Sequence, residues 1–357
     1  QTRLTGWKIP FNKSVVKSFV DQLPFPLTNA QRRAAWQILQ DLESDHPMNR
    51  LLQGDVGSGK TVVAGLVAAE VAKAGFQTAI MAPTEILAQQ HAKTLDELLS
   101  PFGVSVALLT GHVKGVARSQ LLDNLASGNI DVVVGTHALI QEKVAYHKLG
   151  FAVIDEQHRF GVKQRQALLE KSDFMPHLLS MTATPIPRTL HMSLAGIREL
   201  SVLSEPPRDR QPVQTYVMEH SDAIVREAVQ RELNRGGQVY YVCNKISRLP
   251  EIAARLAAEL PEAEVAYAHG KMQEKELERI MLDFMNGEID VLVTTTIVET
   301  GLDIPNVNTI IIEQADHFGL SQLYQLRGRV GRSSRIGYAF LLYQRGRLLR
   351  EEAEKRL

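Results

Sequence analysis

Cysteine is almost absent from this chain: 357 residues contain a single one, Cys243. One thiol cannot close an intramolecular disulfide, and no Cys/His cluster at ligand spacing is present to hold a structural metal. Inside the apolar run QVYYVC, Cys243 reads as a small buried core residue. Long apolar runs are missing as well. None approaches the roughly 20 residues that a membrane helix needs, and the opening QTRLTGWKIP has no signal-peptide pattern. That opening also lacks Met, which predicts a fragment of a longer chain. Together these absences point to a reducing cytoplasm. No charge of one sign dominates, since 40 basic residues balance 40 acidic ones. A nucleic-acid partner must then be held by local basic strips rather than by overall attraction.

What is present is an alternation of short apolar runs with helix-like stretches. NRLLQ precedes a glycine loop, and TVVAGLVAAEVAKA follows it as a helix. QTAIMAP, VSVALLT, IDVVVGT, FAVIDE and LLSMTA continue the series. Runs that are apolar on both faces and joined by crossover helices predict buried parallel strands. The pattern weakens across LSVLSEPPRDRQP, where three prolines and mixed charges predict a linker. It then restarts with VQTYVM, QVYYVC, VAYAHG, IDVLVTTT, TIIIEQ and GYAFLLY. The fold class is α/β, with two tandem domains on mostly parallel central sheets. The expected boundaries are a lead-in with a short helix at 1–26, a first domain at 27–198, a linker at 199–212, a second domain at 213–345 and a terminal helix at 346–357.

GDVGSGKT, Gly54–Thr61, matches G-x-x-x-x-G-K-[ST] in full between a predicted strand and a predicted helix. Through Gly54, Asp55, Val56, Gly57, Ser58 and Gly59 the backbone N–H groups can turn inward around phosphate oxygens, and the helix adds its positive end. Lys60 can reach the β- and γ-phosphates of ATP, and the Thr61 hydroxyl can ligate Mg²⁺. FAVIDEQH supplies the carboxylates: Asp155 suits the Mg²⁺ shell, and Glu156 suits alignment and deprotonation of an attacking water. Adjacent strand residues point to opposite faces. Both can serve one site only if the strand ends there and the chain turns. QLRGRVGR places Arg327, Arg329 and Arg332 within six residues, a source of positive charge for a leaving γ-phosphate. The second half has no glycine–lysine loop of its own, so the second domain is expected to complete the first domain's site across a cleft.

With LTNAQ, APTEILAQQH, GTHALI, TATPIPRT and TTTIVETGLDIPNV in order around these motifs, the chain resembles the superfamily 2 helicases and translocases. DEQHRFGV and TATPIPRTL narrow the resemblance to the RecG and Mfd group of bacterial double-stranded DNA translocases. Residues 1–180 look like RecG, and those from about 205 onward look more like Mfd. A natural intermediate and an engineered joining of the two both fit that division. The resemblance implies two RecA-like domains that clamp ATP and Mg²⁺ between them. It implies that Gln31 reads the adenine edge, that Gln157 and Gln325 sense the γ-phosphate, that Arg329 and Arg332 are arginine fingers, and that Asp303 meets the ribose. It places Pro83, Thr84, Gly135, Thr136, His137, His269, Gly270, Thr294 and Thr295 along a DNA phosphate backbone, where they fix position without reading bases. Thr182, Thr184 and Arg188, in SMTATPIPRT, are expected to couple the nucleotide to the second domain.

The partner implied is double-stranded or branched DNA, bound by a monomer. RNA polymerase or replication-fork partners would be reached only through domains absent from these residues. A core lacking those domains is expected to bind nucleotide and hydrolyse it weakly, with poor duplex binding and little fork unwinding. An RNA helicase of the same superfamily, and an engineered domain-exchange protein with little activity, are the alternatives.

Overall fold

The computed structural model describes residues 5–183, 199–205, 213–295, 304–331 and 335–344. The chain forms two units, Gln1–Pro207 and Arg208–Leu357. In the first, helices α1 (Lys13–Gln22) and α2 (Asn29–Leu42) precede β1 (Asn49–Gly54) and α3 (Lys60–Lys73). Then come β2 (Gln77–Met81), α4 (Glu85–Leu99), β3 (Val106–Leu109), α5 (Gly115–Ala126), β4 (Val132–Gly135), β5 (Leu149–Ile154), α6 (Val162–Leu169), β6 (His177–Thr182) and β7 (Glu199–Leu203). The strands form one sheet in the order β3-β4-β2-β5-β6-β1-β7. Every pairing in it is parallel.

Local chemistry sets the element boundaries. Thr28 caps α2, and Gln31 completes a reciprocal capping box with it. Helix α3 is apolar all round, and its residues Val63 to Val71 are buried, so it packs as a central helix rather than a surface one. The lead-in belongs to this unit. Ile9 and Phe19 are buried, and Trp7 packs between Phe76 and Phe174 with ring centroids 5.1 and 4.6 Å away. His177 fastens it from below: Met48 N donates to its Nδ1 at 3.0 Å, and its Nε2 donates to Trp7 O at 2.5 Å.

In the second unit the order along the chain is β8 (Gln214–Glu219), α7 (Asp222–Asn234), β9 (Gln238–Val242), α8 (Leu249–Glu259), β10 (Val265–Ala268), α9 (Glu274–Met285), β11 (Val291–Thr294), β12 (Val307–Glu313), α10 (Leu320–Arg327) and β13 (Tyr338–Tyr343). Its parallel sheet runs β10-β11-β9-β12-β13-β8, which repeats the first sheet strand for strand, β7 excepted. The repetition reaches side chains. Gln77, opening β2, donates to the Leu125 and Ile130 carbonyls, and Gln238, opening β9, donates to those of Phe284 and Ile289. Cys243 is free and buried in the second core, beside Tyr241 and Val293. Among the described residues no helix is long and apolar enough to cross a membrane.

One boundary differs from the sequence expectation. Residues 199–203, read as the start of a linker, form β7 and pair with β1 from Arg50↔Glu199 to Gly54↔Leu203. The first unit accordingly runs on to Pro207. The predicted helix at 346–357 lies outside the described residues.

Candidate nucleotide site and strand-end loops

The phosphate-loop motif sits between the carboxyl end of β1 and the amino end of α3, where open parallel sheets gather their ligands. Gly57 and Gly59 have φ of +80° and +86°, a region nearly closed to residues with a Cβ. A Cβ on Gly59 would overlap Gln31 Nε2, and one on Gly54 would lie 2.9 Å from Leu203 Cβ. Gln31 is a buried brace behind the loop. Its Nε2 donates to Ser58 O at 2.8 Å, and its Oε1 accepts from Thr28 N at 2.9 Å. Lys60 Nζ donates to Gly54 O at 2.6 Å and to Asp55 O at 3.0 Å, which holds its charge within the loop.

The acidic loop follows β5. Asp155 is the first residue after the strand, and Glu156 adopts φ +44°, ψ 56°. That left-handed residue supplies a turn between two consecutive carboxylates, Asp155 directed at His91 and Glu156 at Ala183 N. A glutamate held there carries backbone strain, a feature that clusters at functional sites. Glu156 N donates to Asp155 Oδ1 at 3.0 Å. Glu156 in turn accepts from Ala183 N at 3.2 Å, with Thr182 Oγ1 3.5 Å away. SMTATPIPRT thus begins as β6 and meets the acidic loop through Thr182 and a backbone amide. Gln157 is half-buried one residue further on.

His91, on α4, connects the two motifs and was not singled out by sequence reasoning. Its Nδ1 lies 3.3 Å from Thr61 Oγ1, and its Nε2 lies 2.7 Å from Asp155 Oδ2. Burial works to raise the Asp155 pKa. The hydrogen bond and electrostatic pull of His91, the Lys60 charge and the Glu156 N–H together outweigh it and hold the carboxyl below its ordinary value. The donor set suits Mg²⁺: a hard carboxylate kept ionised and a threonine hydroxyl, both joined to His91.

Other predicted residues fall on strand-end loops. In the first unit Pro83 and Thr84 follow β2, and Thr136 and the exposed His137 follow Gly135 of β4. Met81 pairs with Gly135, which brings the two loops side by side. Thr84 caps α4, its Oγ1 accepting from Leu87 N. In the second unit His269 and Gly270 follow β10, and Thr295 follows Thr294 of β11, with Ala268 paired to Thr294. The Oγ1 atoms of Thr136 and Thr294 are buried. Gln325 is half-buried on α10, and Arg329, 6% exposed, lies just beyond it. Thr184, Arg188, Asp303 and Arg332 lie outside the described residues.

Comparison with known proteins agrees with this geometry. A DEAD/DEAH box helicase model matches residues 28–193, and a helicase conserved C-terminal domain model matches residues 220–334. The transcription-repair-coupling factor (Mfd) of Bacillus subtilis is 48% identical over 352 residues, covering 99% of this chain and 30% of that protein. The factor from Staphylococcus epidermidis is 49% identical over 354 residues with the same coverage. The chain therefore spans less than a third of these relatives. Among solved structures, RecG bound to a three-way DNA junction superposes with a TM-score of 0.86 at 43% identity, covering 99% of this chain and 47% of that one. S. cerevisiae Dbp5 bound to RNA and ADP BeF3 reaches 0.68 at 19% identity over 98% of this chain and 90% of that one, a likeness of fold alone. The likenesses to Mfd and to RecG both run through both units. With two RecA-like units, both helicase domains and these relatives, the chain belongs to the superfamily 2 helicases and translocases of the RecG/Mfd group.

Proposed function

We propose that this chain is the ATP-hydrolysing motor of a double-stranded DNA translocase that acts on duplex or branched DNA in the cytoplasm. The observation that carries the reading is the convergence, in the first unit, of Lys60 in a glycine loop with an acidic turn whose two carboxylates are separately held. Lys60 exchanges its two carbonyl partners for the β- and γ-phosphates of ATP. A divalent cation held by Thr61 and Asp155 supplies charge neutralisation at those phosphates. Glu156, fixed by Ala183 N, aligns a water and takes its proton. Gln31 keeps the loop in shape; its amide is engaged by Ser58 O and Thr28 N, so reading the adenine edge requires it to leave one of them. Gln157 and Gln325 sense the γ-phosphate, Arg329 and Arg332 stabilise its charge as it leaves, and Asp303 contacts the ribose. Thr182, Thr184 and Arg188 carry the state of that phosphate toward the second unit. The loops at Pro83–Thr84, Gly135–His137, His269–Gly270 and Thr294–Thr295 follow the DNA backbone through exposed amides and side chains, which suits movement over any sequence. The hydroxyls of Thr136 and Thr294, expected from the sequence to take part, are buried and make no such contact.

Steady-state phosphate release by the 357-residue chain, measured with no nucleic acid, single strand, duplex, fork and matched RNA, tests this. Turnover should require Mg²⁺, rise more with DNA than with RNA, and vanish in Lys60→Ala. Unchanged turnover in Lys60→Ala or Arg332→Ala would overturn the assignment, and greater stimulation by RNA would move the chain to the RNA helicases.

A further inference from the structure

We infer that His91 is the positioning residue for the cation ligands of the phosphate loop, one imidazole orienting both Thr61 and Asp155. The inference rests on the nucleotide reading above. His91 is the seventh residue of α4, the helix that follows β2. β2 pairs with β5, and Asp155 N donates to Met81 O at the end of β2 at 2.9 Å, so the chain leading into α4 starts beside Asp155. The His91 side chain is 12% exposed, and its two ring nitrogens face different partners, 3.3 Å from Thr61 Oγ1 and 2.7 Å from Asp155 Oδ2.

Hydrogen-bond geometry gives the arrangement its consequence. Nε2 faces a carboxylate, which only accepts, so Nε2 donates to Asp155 Oδ2. Nδ1 lies within hydrogen-bond reach of the Thr61 hydroxyl. A hydroxyl held on one side by the ring is fixed in orientation, with lone-pair density left on the other side for a cation. Asp155 is fixed in the same way. Oδ2 takes the His91 N–H and Oδ1 takes the Glu156 N–H. Two directed bonds set the carboxylate plane and leave the remaining lone pairs on each oxygen for coordination. Partners of this kind fix ligand rotamers and tune metal affinity without touching the metal.

The second unit provides an internal contrast. The seventh residue of α8, the helix after β9, is Arg255, and its Nη1 is 2.6 Å from Asp222 Oδ1 at the start of α7. The same helix-to-helix joint is there an ion pair, in a unit without a phosphate loop. Only the first unit carries at this joint a side chain that meets one partner at each of two ring nitrogens.

The test is binding of a fluorescent ADP derivative to the 357-residue chain, titrated in EDTA and then with Mg²⁺, for wild type, His91→Leu, His91→Asn and His91→Gln, with Lys60→Ala as control. His91→Leu and His91→Asn should raise the Mg²⁺ concentration for half-maximal tightening about 10–100-fold, while binding in EDTA stays within about twofold of wild type. Gln, long enough to present a donor and an acceptor to both partners, should recover most of the shift, and Asn is too short to span them. If His91→Leu does not fold, the Asn–Gln pair carries the comparison. A Mg²⁺ requirement unmoved in His91→Asn overturns the inference, as does equal weakening in EDTA and in Mg²⁺. Absence of wild-type binding, or binding indifferent to Lys60→Ala, overturns the nucleotide reading itself. Normal binding with unaltered Mg²⁺ dependence in the variants overturns the His91 inference alone.

Discussion

Gly57→Ala and Gly59→Ala put the same methyl group on two residues with nearly the same backbone, φ +80° and +86°. Each forces an L side chain into the left-handed region, at about 1–2 kcal/mol. Their surroundings differ. Nothing lies within 4 Å of a Cβ at Gly57, whereas at Gly59 the methyl meets Gln31 Nε2. Gln31 must then release Ser58 O, which leaves a buried donor and a buried acceptor unmatched, for about a further 2 kcal/mol. Gly57→Ala should cost about 1 kcal/mol and Gly59→Ala about 3, a roughly 30-fold difference in unfolding equilibrium. Both tryptophans, Trp7 and Trp36, lie in the first unit. Urea unfolding followed by tryptophan fluorescence therefore reads this unit alone. In a Gln31→Ala background the Gly59→Ala cost should fall to that of Gly57→Ala, because the atom it displaces is gone. Equal costs for the two alanines in the wild-type background, or no relief from Gln31→Ala, would refute the idea that Gln31 braces the loop.

Three more outcomes are expected. Burial lowers the pKa of His177 below its ordinary value, outweighing the bond to Trp7 and the charge of Asp41. The unfolded chain then binds the extra proton, so stability is full above about pH 6.5 and falls as pH drops below it; urea midpoints at pH 7.5 and 5.5 should show a smaller fall in His177→Gln, and an identical fall excludes His177 as the cause. Arg248→Ala leaves the Glu313 carboxylate, 4% exposed and 2.7 Å from Arg248 Nη1, without its cation; the second unit should lose about 3 kcal/mol by circular dichroism in urea, and a loss below about 0.5 kcal/mol would make the pair dispensable. Glu156→Gln should lower turnover about 10²–10⁴-fold with ADP affinity kept within about threefold; undiminished phosphate release removes Glu156 from the chemistry.

The parts of the site that lie in one continuous stretch are legible in the sequence. Residues 54–61 carry their geometry in their spacing, and the turn demanded of Asp155–Glu156 by strand alternation is present as φ +44° at Glu156. The parts that depend on distant partners are not. β7 is a five-residue edge strand with broken burial, next to a proline-rich stretch, and its partner β1 lies some 150 residues earlier; no local pattern distinguishes it from a linker. His91 sits within EILAQQHAKTL, and its two partners are 30 and 64 residues away. Helical periodicity can put it on a face, but it cannot say that Thr61 and Asp155 meet there. Gln31 illustrates a third case. Its place near the nucleotide loop is readable, but its hydrogen bond to Ser58 O depends on how α2 lies against the loop.

Side chains, more than architecture, decide why only one of two similar sheets carries the chemistry. Glu156 and Gln314 are the non-glycine residues with positive φ among those described, each following the carboxyl end of the corresponding strand. Each is preceded by an acid, Asp155 in one unit and Glu313 in the other. Asp155 is bound by a ring N–H and a backbone N–H, with the Lys60 charge acting on it as well. Glu313 gives one oxygen to the Arg248 guanidinium at 2.7 Å, while the other faces the Tyr241 hydroxyl at 3.4 Å. A carboxylate already matched by a cation has little field left to attract a second one. Asp222, at the start of α7, is likewise matched by Arg255. The second unit thus matches with arginines the carboxylates at these two joints.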